Sequence, residues 1–350
     1  MKTERISLST NEKIIFISNF STMLSAGISI LEAVDSLRED AKGNLSKMLE
    51  TLRADLIQGN HVATTFARFP LIFDKVTVNI IKASEEAGTL DVTLKDLKKS
   101  ILKEVEFTDK IKSALMYPFV ILLVFIGVLL LMLIVVIPKI STVFLRLNVP
   151  LPLPTQVLIF TSNLLLTQTI PVLIVLGAFV GLIFFMYQRQ KRILLNILFS
   201  FPLVSELVKE IDLTHFTRSL YLLLSSGITI INALELTEDV VIRHDVHEAI
   251  FQAKQTVLSG KKLSEGLRLY KGFIPNLMIK MIEAGEKTGS LDKSMQEISD
   301  YFDYQVSNRL RTLTALLEPI MLVFVGVLVG GMMLAIIAPI YNLIGSVGTR

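Results

Sequence analysis

The sequence contains no cysteine, and two long stretches of it contain no acidic residue. The absence of cysteine excludes a disulfide framework, a thiol nucleophile and a cysteine-ligated metal site. The stretches without Asp or Glu are residues 119–187 and 319–350, and their only basic residues are Lys139, Arg146 and Arg350. The first 20 residues lack a continuous apolar core behind a basic start, so we expect no cleavable signal peptide.

The chain also lacks the residue patterns of a hydrolytic enzyme. It has no G-x-x-x-x-G-K-[ST] stretch, because "SGKKLS" at 259–264 is without the leading glycine of a phosphate-binding loop. No arrangement of serine, histidine and aspartate has support in the sequence. We therefore expect no enzymatic activity, no catalytic residue and no cofactor.

Charge is concentrated in two polar blocks, residues 1–118 and 188–318. Each block holds 16 Lys and Arg and 16 Asp and Glu. Because each block is neutral, the net charge of +3 does not indicate a nucleic-acid partner. The order along the chain is therefore polar, apolar, polar, apolar.

Three apolar runs are long enough to cross a lipid bilayer: residues 119–137, 170–187 and 319–344. The first run has no charge and lies between Pro118 and Pro138. Its helical length is about 28 Å, close to the ~30 Å thickness of the hydrocarbon core. These runs predict a membrane protein with three transmembrane helices.

The distribution of Lys and Arg predicts the orientation in the membrane. The positive-inside rule places the N-terminus and both polar blocks in the cytoplasm. It places the loop 138–169 and the tail 345–350 outside, because this loop has only two basic residues. The basic residues that flank the first two spans on the cytoplasmic side are Lys98, Lys99, Lys103, Lys110, Lys112, Arg189, Lys191 and Arg192.

The sequence contains an internal repeat at an offset of about 200 residues. The repeated unit is a polar block followed by one apolar span, and the span 170–187 has no counterpart. This unpaired span returns the chain to the cytoplasm, so that both polar blocks lie on one side of the membrane. The matching segments are "SAGISILEAV" (25–34) with "SSGITIINAL" (225–234), "AGTLD" (87–91) with "TGSLD" (288–292), "ALMYPF" (114–119) with "ALLEPI" (315–320), and Pro138 with Pro339.

Both polar blocks have helical periodicity and no alternating strand pattern, so each is predicted to be a bundle of six helices. Gly27 and Gly227 are suited to helix C-termini, where glycine adopts a left-handed conformation at little cost. The segment "EAGEKTGSLD" (283–292) predicts a tight turn between two helices, which we call an elbow. The second of these helices is long and continues into the third apolar span.

Six carboxylates surround the two elbows, and the sequence leaves their role open. They could bind a divalent cation, or they could be solvated helix caps and ion pairs with neighbouring lysines. His244 and His247 share a helix face, but no third ligand is visible, which favours an ordinary surface over a metal site. The six carboxylates are Glu85, Glu86, Asp91, Glu283, Glu286 and Asp292.

Two G-x-x-x-G pairs occur in the apolar runs, Gly177–Gly181 and Gly326–Gly330. This spacing allows two membrane helices to approach closely, although glycine is common in membrane helices in general. No Asp, Glu, Lys, Arg or His lies inside any of the three runs. Transporters and channels commonly use such residues, so this class of function is the alternative rather than the preferred one.

Several of these motifs, in this order and used twice, resemble the inner-membrane platform family of type II secretion and type IV pilus systems. The segments that carry the resemblance are "LSAGISILEAV", "EAGEKTGSLD", "ALMYP", "LLEP" and "IIAPIYNLI", and they extend over most of the chain. The first elbow departs from the family pattern, since it reads "SEEAG". The residues of these motifs are Gly27, Gly88, Gly227, Gly285, Glu286, Gly289, Pro118, Pro138, Glu318, Pro319 and Pro339.

The resemblance implies a function and a set of partners. It implies a non-enzymatic platform in the bacterial inner membrane that couples a cytoplasmic assembly ATPase to insertion of pilins or pseudopilins into a filament. The implied partners are that ATPase, the pilin, other inner-membrane assembly proteins and further copies of the chain. Glu318, beside Pro319, is expected either to reach the membrane interface or to contact a charged partner helix.

Overall fold

A computed structural model of the chain describes residues 6–146, 153–168, 171, 181 and 202–347. This part of the chain is helical and contains no β-strand. The predicted all-α fold is therefore confirmed. The chain divides into two compact units. We call residues 1–110 and 206–308 the polar unit, and residues 111–205 and 309–350 the apolar unit.

The polar unit combines the two repeats in one compact body, each with the same order of helices. The first repeat contains α1 (Thr10–Ser25), α2 (Ile30–Glu39), α3 (Gly43–Ile57), α4 (Val62–Phe66), α5 (Lys75–Ala87) and the first part of α6 (Leu90–Leu131). The second repeat contains α9 (Pro202–Ser225), α10 (Ile230–Glu238), α11 (His244–Leu258), α12 (Leu263–Arg268), α13 (Asn276–Thr288) and the first part of α14 (Leu291–Val347).

Polar side chains fix where several of these helices begin. Ser9 accepts a hydrogen bond from Glu12 N, and the Glu12 carboxylate accepts one from Ser9 N, which is a complete capping box at α1. Ser29 caps α2 in the same way, but through its side chain alone. In the second repeat, Asp212 accepts hydrogen bonds from Ile242 N and Arg243 N directly before α11. Burial raises the pKa of Asp212, and these two donors oppose the shift.

Each repeat has its own hydrophobic core, built on equivalent positions. In the first repeat the core is aromatic, and the rings of Phe66 and Phe73 stack with centroids 3.9 Å apart. The equivalent positions of the second repeat carry Leu267 and Ile274, which are also buried. The first core is packed with large rings and the second with aliphatic side chains. Both cores nevertheless hold helices in the same order.

Among the described residues, two helices are long and apolar enough to cross a membrane, one reaching from Leu90 to Thr142 and the other from Leu291 to Gly331. Both carry large exposed apolar side chains, among them Phe119 and Leu322. An apolar helix with an exposed apolar surface is what a lipid environment requires. The second predicted span, 170–187, lies outside the described residues apart from positions 171 and 181.

The predicted loop 138–169 contains helices where it is described. After α6 the chain passes through a π-helix (Met132–Val136) into α7 (Ile137–Arg146), and α8 (Leu153–Thr167) follows. α8 packs against α7 and the π-helix, so the segment is a helical hairpin rather than an extended connection. The Pro-rich sequence "NVPLPLP" (148–154) predicts an extended segment. Only its last two residues are described, and they form the start of α8.

Pro138 explains a hydrogen bond that closes this hairpin. In the π-helix, Ile137 N donates to Met132 O, five residues back. The next carbonyl, Leu133 O, would take its hydrogen bond from residue 138, but proline has no N–H. Ser162 of α8 donates to Leu133 O instead, at 2.6 Å, and both residues are buried.

Candidate functional site

The elbow of the second repeat is a left-handed turn between α13 and α14. Gly289 follows the last residue of α13 with φ +70° and ψ +18°. Ser290 N donates to Gly285 O at 3.0 Å, which satisfies a carbonyl at the end of α13. The hydroxyls of Ser290 and Thr288 lie 2.7 Å apart. α14 then begins at Leu291, with Asp292 in its first turn.

The elbow of the first repeat has the same backbone. Gly88 has φ +70°, and Thr89 N donates to Ser84 O at 2.9 Å. The first elbow, with its atypical sequence "SEEAG", therefore differs from the second in side chains but has the same turn. Gly27 and Gly227, with φ of +81° and +82°, terminate α1 and α9 in a left-handed conformation of the same kind.

Gly285 marks the closest approach between the two helices of the second elbow. A Cβ atom at this position would lie 2.4 Å from Ser294 Oγ and 3.1 Å from Leu291 Cα. Glycine is thus required here by space, whereas at Gly289 it is required by backbone conformation, since no atom lies within 4 Å of a Cβ built there.

Glu85 and Glu286, three residues before the left-handed glycines, hold short helices in place. Glu85 accepts hydrogen bonds from Val62 N and Ala63 N, at 2.8 and 3.2 Å, at the start of α4. Glu286 accepts from Ser264 N at 3.3 Å and from Ser264 Oγ at 2.5 Å, at the start of α12. A carboxylate at a helix N-terminus satisfies free backbone donors and interacts favourably with the helix dipole. Each elbow is therefore tied to the helix pair beside it.

The other elbow carboxylates do not assemble into a metal site. Glu283 forms ion pairs with Lys287 at 2.9 Å and Arg268 at 2.8 Å, and the bond from Lys287 is the main reason why its pKa is lowered. Among the residues that the structure describes, no group of three His, Asp or Glu side chains could hold a metal ion. The rings of His244 and His247 stack on one another on α11.

A valine at position 289 should destabilise the fold by about 1 kcal/mol or more, because a β-branched residue is poorly accommodated at positive φ. The Gly289→Asn variant is the matched control, since asparagine tolerates this conformation better. The measurement is thermal unfolding of the purified full-length chain, followed by far-ultraviolet circular dichroism. Equal melting temperatures for the two variants would contradict a conformational requirement for glycine.

The first repeat also buries part of α5 against the second repeat. Val76 and Ile80 belong to the hydrophobic core of the second repeat, with exposed fractions of 6% and 1%. The Lys75 ammonium group lies 2.8 Å from the Asp239 carboxylate at the end of α10. The two repeats are therefore joined by a packed apolar contact with a polar rim.

Further ion pairs join α6 to helices of the second repeat. Glu104 pairs with Arg218 at 2.7 Å, and the Arg218 guanidinium lies over the ring of Phe107. Lys103 pairs with Asp300 on α14 at 2.7 Å. The Arg218 side chain is only 8% exposed, so the Glu104 pair is far better shielded from solvent than the Lys75 pair. Such partly buried pairs specify how the repeats fit together more than they stabilise them.

The residues predicted at the membrane surface lie inside continuous helices. Pro118 is internal to α6, and α14 runs unbroken through Pro319 and Pro339. Glu318 is exposed. Proline is tolerated at such positions in membrane helices because other groups compensate for the lost hydrogen bond.

The structure describes both glycines of the pair Gly326–Gly330 and only one glycine of the pair Gly177–Gly181. At Gly326 and Gly330 an added Cβ would meet no atom within 4 Å, so the described part of the chain does not fill this notch. The same is true at Gly181, whereas Gly177 lies outside the described residues. A packing role for these glycines stays a prediction.

Sequence reasoning missed two features of this site. The contact between the repeats was not foreseen, because residues such as Val76 and Asp239 are too far apart in the chain for any periodic pattern to pair them. The helix-capping role of Glu85 and Glu286 had a signal, namely a glutamate three residues before glycine in both repeats. The sequence left a cation site, solvated helix caps and ion pairs open for these carboxylates, but it did not indicate that they cap α4 and α12, which begin more than 20 residues earlier in the chain.

Comparison with known proteins identifies the family. The family model of type II secretion system (T2SS) protein F matches residues 16–138 and again 216–339, which confirms the internal repeat. The type IV pilus assembly protein PilC of Thermus thermophilus is 30% identical over 343 residues, covering 96% of this chain and 83% of that protein. PilC of Pseudomonas aeruginosa is 28% identical, covering 95% and 90%, and type II secretion system protein F of Aeromonas hydrophila is 26% identical, covering 96% and 87%. With both halves of its sequence matched, the chain belongs to the type II secretion system protein F family.

Proposed function

We propose that the chain is an inner-membrane platform of a type II secretion or type IV pilus-like machine. In this role it couples a cytoplasmic assembly ATPase to the insertion of pilins or pseudopilins into a filament. The observation that carries the proposal is the double family match, in which each half pairs a polar block with an apolar segment. The relatives are named for pilus assembly and for type II secretion. The chain itself is a non-enzymatic component, and the partner ATPase supplies the energy.

The continuity of two helices supports a mechanical role. α6 and α14 each begin in the polar unit, directly after an elbow, and continue into the apolar unit without interruption. A helix that is tied at its start by a fixed turn moves with the bundle that holds it. An ATPase that rotates or tilts the polar unit would thus displace both apolar helices together.

The exposed apolar surface of the long helices supports a pilin as the transported partner. A pilin helix of about 20 apolar residues is costly to withdraw from lipid unless another apolar surface replaces the lipid. The notch at Gly326 and Gly330 leaves room for close approach of such a helix. A transporter or channel is the alternative function, and the absence of Asp, Glu, Lys, Arg and His from the predicted spans disfavours it.

The proposed topology has three spans, at 119–137, 170–187 and 319–344, with an N-terminus in the cytoplasm. It places two six-helix bundles, 1–118 and 188–318, on the cytoplasmic side and segment 138–169 outside, following the positive-inside rule. Together with the family membership, this describes a multi-pass protein of the bacterial inner membrane.

Single-cysteine labelling tests this topology cleanly, because the chain has no native cysteine. Leu153, 76% exposed, begins α8 in the proposed external segment, and Ser259 is an exposed residue after α11. In intact cells with a permeable outer membrane, we expect an impermeant maleimide to label Leu153→Cys and not Ser259→Cys. Ser141 is a poor probe because its side chain is buried. Labelling of Ser259→Cys alone would contradict the topology.

Deletion of the gene tests the platform function. We expect filaments or secreted proteins to disappear while the levels of pilin and ATPase stay normal, and the restored gene to reverse the loss. Photo-crosslinkers placed at exposed positions of the second repeat should capture the ATPase, and those near Gly326 should capture pilin. Normal filament assembly without the protein would refute the proposal, and a defect in uptake or growth alone would favour a transporter.

A further inference from the structure

The hydrogen bond from Ser162 to Leu133 O fixes the depth at which α8 lies in the apolar unit. In the proposed topology, Leu133 is four residues before the outer end of the first span, 119–137. At the rise of an α-helix, this corresponds to about 6 Å inside the outer boundary of the hydrocarbon layer. Ser162 Oγ lies 2.6 Å from Leu133 O, so this residue of α8 has nearly the same depth. Part of α8 is therefore level with the first span rather than outside the membrane.

The depth of α8 changes along its length. Its C-terminal half contacts the π-helix through Ser162, and α8 also contacts α7, so its N-terminal half lies beside α7. Along the axis of the hairpin, Leu153 lies about 13 Å before Ser162, which places it about 7 Å outside the hydrocarbon boundary. Leu164, which follows Ser162 in the same helix, lies about 9 Å inside this boundary. α8 thus starts outside and descends beside the first span.

The hairpin buries hydroxyl groups and exposes large apolar side chains. Ser141, Thr155 and Ser162 are buried. Val157 and Phe160 on α8 are exposed, and the exposed fraction of Phe160 is 69%. Buried polar groups and large exposed apolar groups are both unusual in a water-soluble protein. In a membrane the same distribution is favourable, because hydroxyls pack between helices and apolar side chains face lipid.

The exposed apolar residues of α8 form one stripe. Leu153, Val157, Phe160 and Leu164 follow one another at intervals of three or four residues, so they lie on one face of the helix. All four are exposed. The stripe consists of aliphatic and aromatic side chains only, and it extends from the outer end of α8 to its deeper half.

Charge does not oppose insertion of this helix. Residues 147–188 contain no Asp, Glu, Lys, Arg or His, and such residues are the costly ones in a hydrocarbon layer. The exposed amides Gln156 and Asn163 lie on a side of α8 next to the apolar stripe. Amide side chains in this position can hydrogen-bond to a neighbouring membrane helix.

We propose that the C-terminal half of α8 re-enters the outer part of the hydrocarbon layer and faces lipid acyl chains with Phe160 and Leu164. The start of the helix at Leu153 stays in the headgroup region, which water reaches. The inference rests on the proposed topology and refines it, because segment 138–169 is then external only in part. Lipid is the occupant of the stripe because the stripe reaches hydrocarbon depth and offers no polar group to a protein partner.

Electron paramagnetic resonance of nitroxide labels tests the depth directly, because the chain has no native cysteine. Full-length chains with Leu153→Cys, Phe160→Cys or Leu164→Cys are labelled and reconstituted into vesicles of phosphatidylethanolamine and phosphatidylglycerol. Collisions of the label with oxygen, which concentrates among acyl chains, are compared with collisions with a water-soluble nickel chelate on both sides of the membrane. Leu153 is the matched control, since its exposed fraction of 76% is close to the 69% of Phe160.

We expect oxygen collisions to exceed nickel collisions several-fold at positions 160 and 164, and the order to be reversed at position 153. Dominant nickel collisions at all three positions would overturn the re-entrant helix. Few collisions with either reagent at positions 160 and 164 would overturn the assignment to lipid, because a protein partner then covers the stripe. The topology itself fails by a different result, the labelling of Ser259→Cys alone in intact cells, so the two failures are distinguishable.

A carboxylate on the same stripe provides a second test. Leu164→Asp should reduce the amount of full-length chain recovered from the membrane several-fold, because a charged side chain is costly in the hydrocarbon layer. Leu153→Asp is the matched control, since it places the same charge on the same face of α8, and it should leave this amount unchanged. Equal recovery of the two variants would contradict the difference in depth between the two ends of the helix.

Discussion

Replacement of Arg68 by methionine is expected to lower the melting temperature of the full-length protein by about 5–10 °C. Arg68 binds the Asp55 carboxylate through Nη1, at 2.9 and 3.1 Å, and Thr65 donates to the same carboxylate at 2.8 Å. Asp55 is buried, so loss of the cation leaves a carboxylate with too few partners. Removal of one member of a buried pair costs about 3–5 kcal/mol, and partial exposure of Arg68 reduces this to about 2–3 kcal/mol. For a domain of this size, 1 kcal/mol corresponds to about 2–4 °C.

The second repeat supplies the control for this prediction. Its residues at the positions of Asp55 and Thr65 are Thr256 and Gly266, and a Cβ at Gly266 would lie 2.7 Å from Ala253 Cα. The second repeat thus packs α11 directly against α12, without a buried ion pair. The double variant Arg68→Met with Asp55→Thr should recover much of the lost stability, because it removes the charge together with its partner. If the double variant is less stable than Arg68→Met alone, the buried charge is not the cause.

Replacement of Gly285 by valine is expected to destabilise the protein by about 1–3 kcal/mol, the usual cost of overpacking. The new Cβ would lie 2.9 Å from Ser294 Cβ and 3.1 Å from the backbone at Leu291, and neither can move without shifting the start of α14. Valine is a slightly better helix residue than glycine, but this gain is smaller than the cost of the clash. Thermal unfolding of the full-length protein measures the effect.

A double-mutant cycle separates overpacking from other effects. Ser294→Gly removes two of the three close contacts, so it should offset part of the Gly285→Val defect, although glycine itself weakens α14 by about 1 kcal/mol. Strictly additive effects of the two substitutions would show that the elbow is not as close as the distances indicate. Because Gly285 sets how α13 meets α14, we also expect the Gly285→Val variant to lose filament assembly or secretion.

Local structure was predictable from the sequence, and long-range packing was not. The turn at Gly289 follows from a glycine after an amphipathic run, and the α-helical class follows from periodicity over long stretches. The contact of Val76 with the second repeat has no such signal, because an apolar residue on a helix looks the same whether its own repeat or the next one buries it. The hairpin of α7 and α8 was hidden for a different reason. The Pro-rich segment 148–154 predicts an extended connection, and the hydrogen bond from Ser162 to Leu133 O joins residues 29 positions apart, which no local pattern reveals.

The hydrogen bond from Ser162 to Leu133 O has a consequence for synthesis of the chain. Pro138 has no N–H that could donate to Leu133 O. The donor that replaces it, the hydroxyl of Ser162, belongs to a helix later in the sequence. During translation the first apolar helix therefore emerges with one carbonyl that nothing in the preceding chain can satisfy. That carbonyl depends on water or lipid headgroups until residue 162 has left the ribosome, and in the hydrocarbon core an unsatisfied carbonyl costs several kcal/mol. Leu133 O is therefore satisfied only after α8 has been made, so the order of synthesis sets the order in which this part of the apolar unit becomes stable.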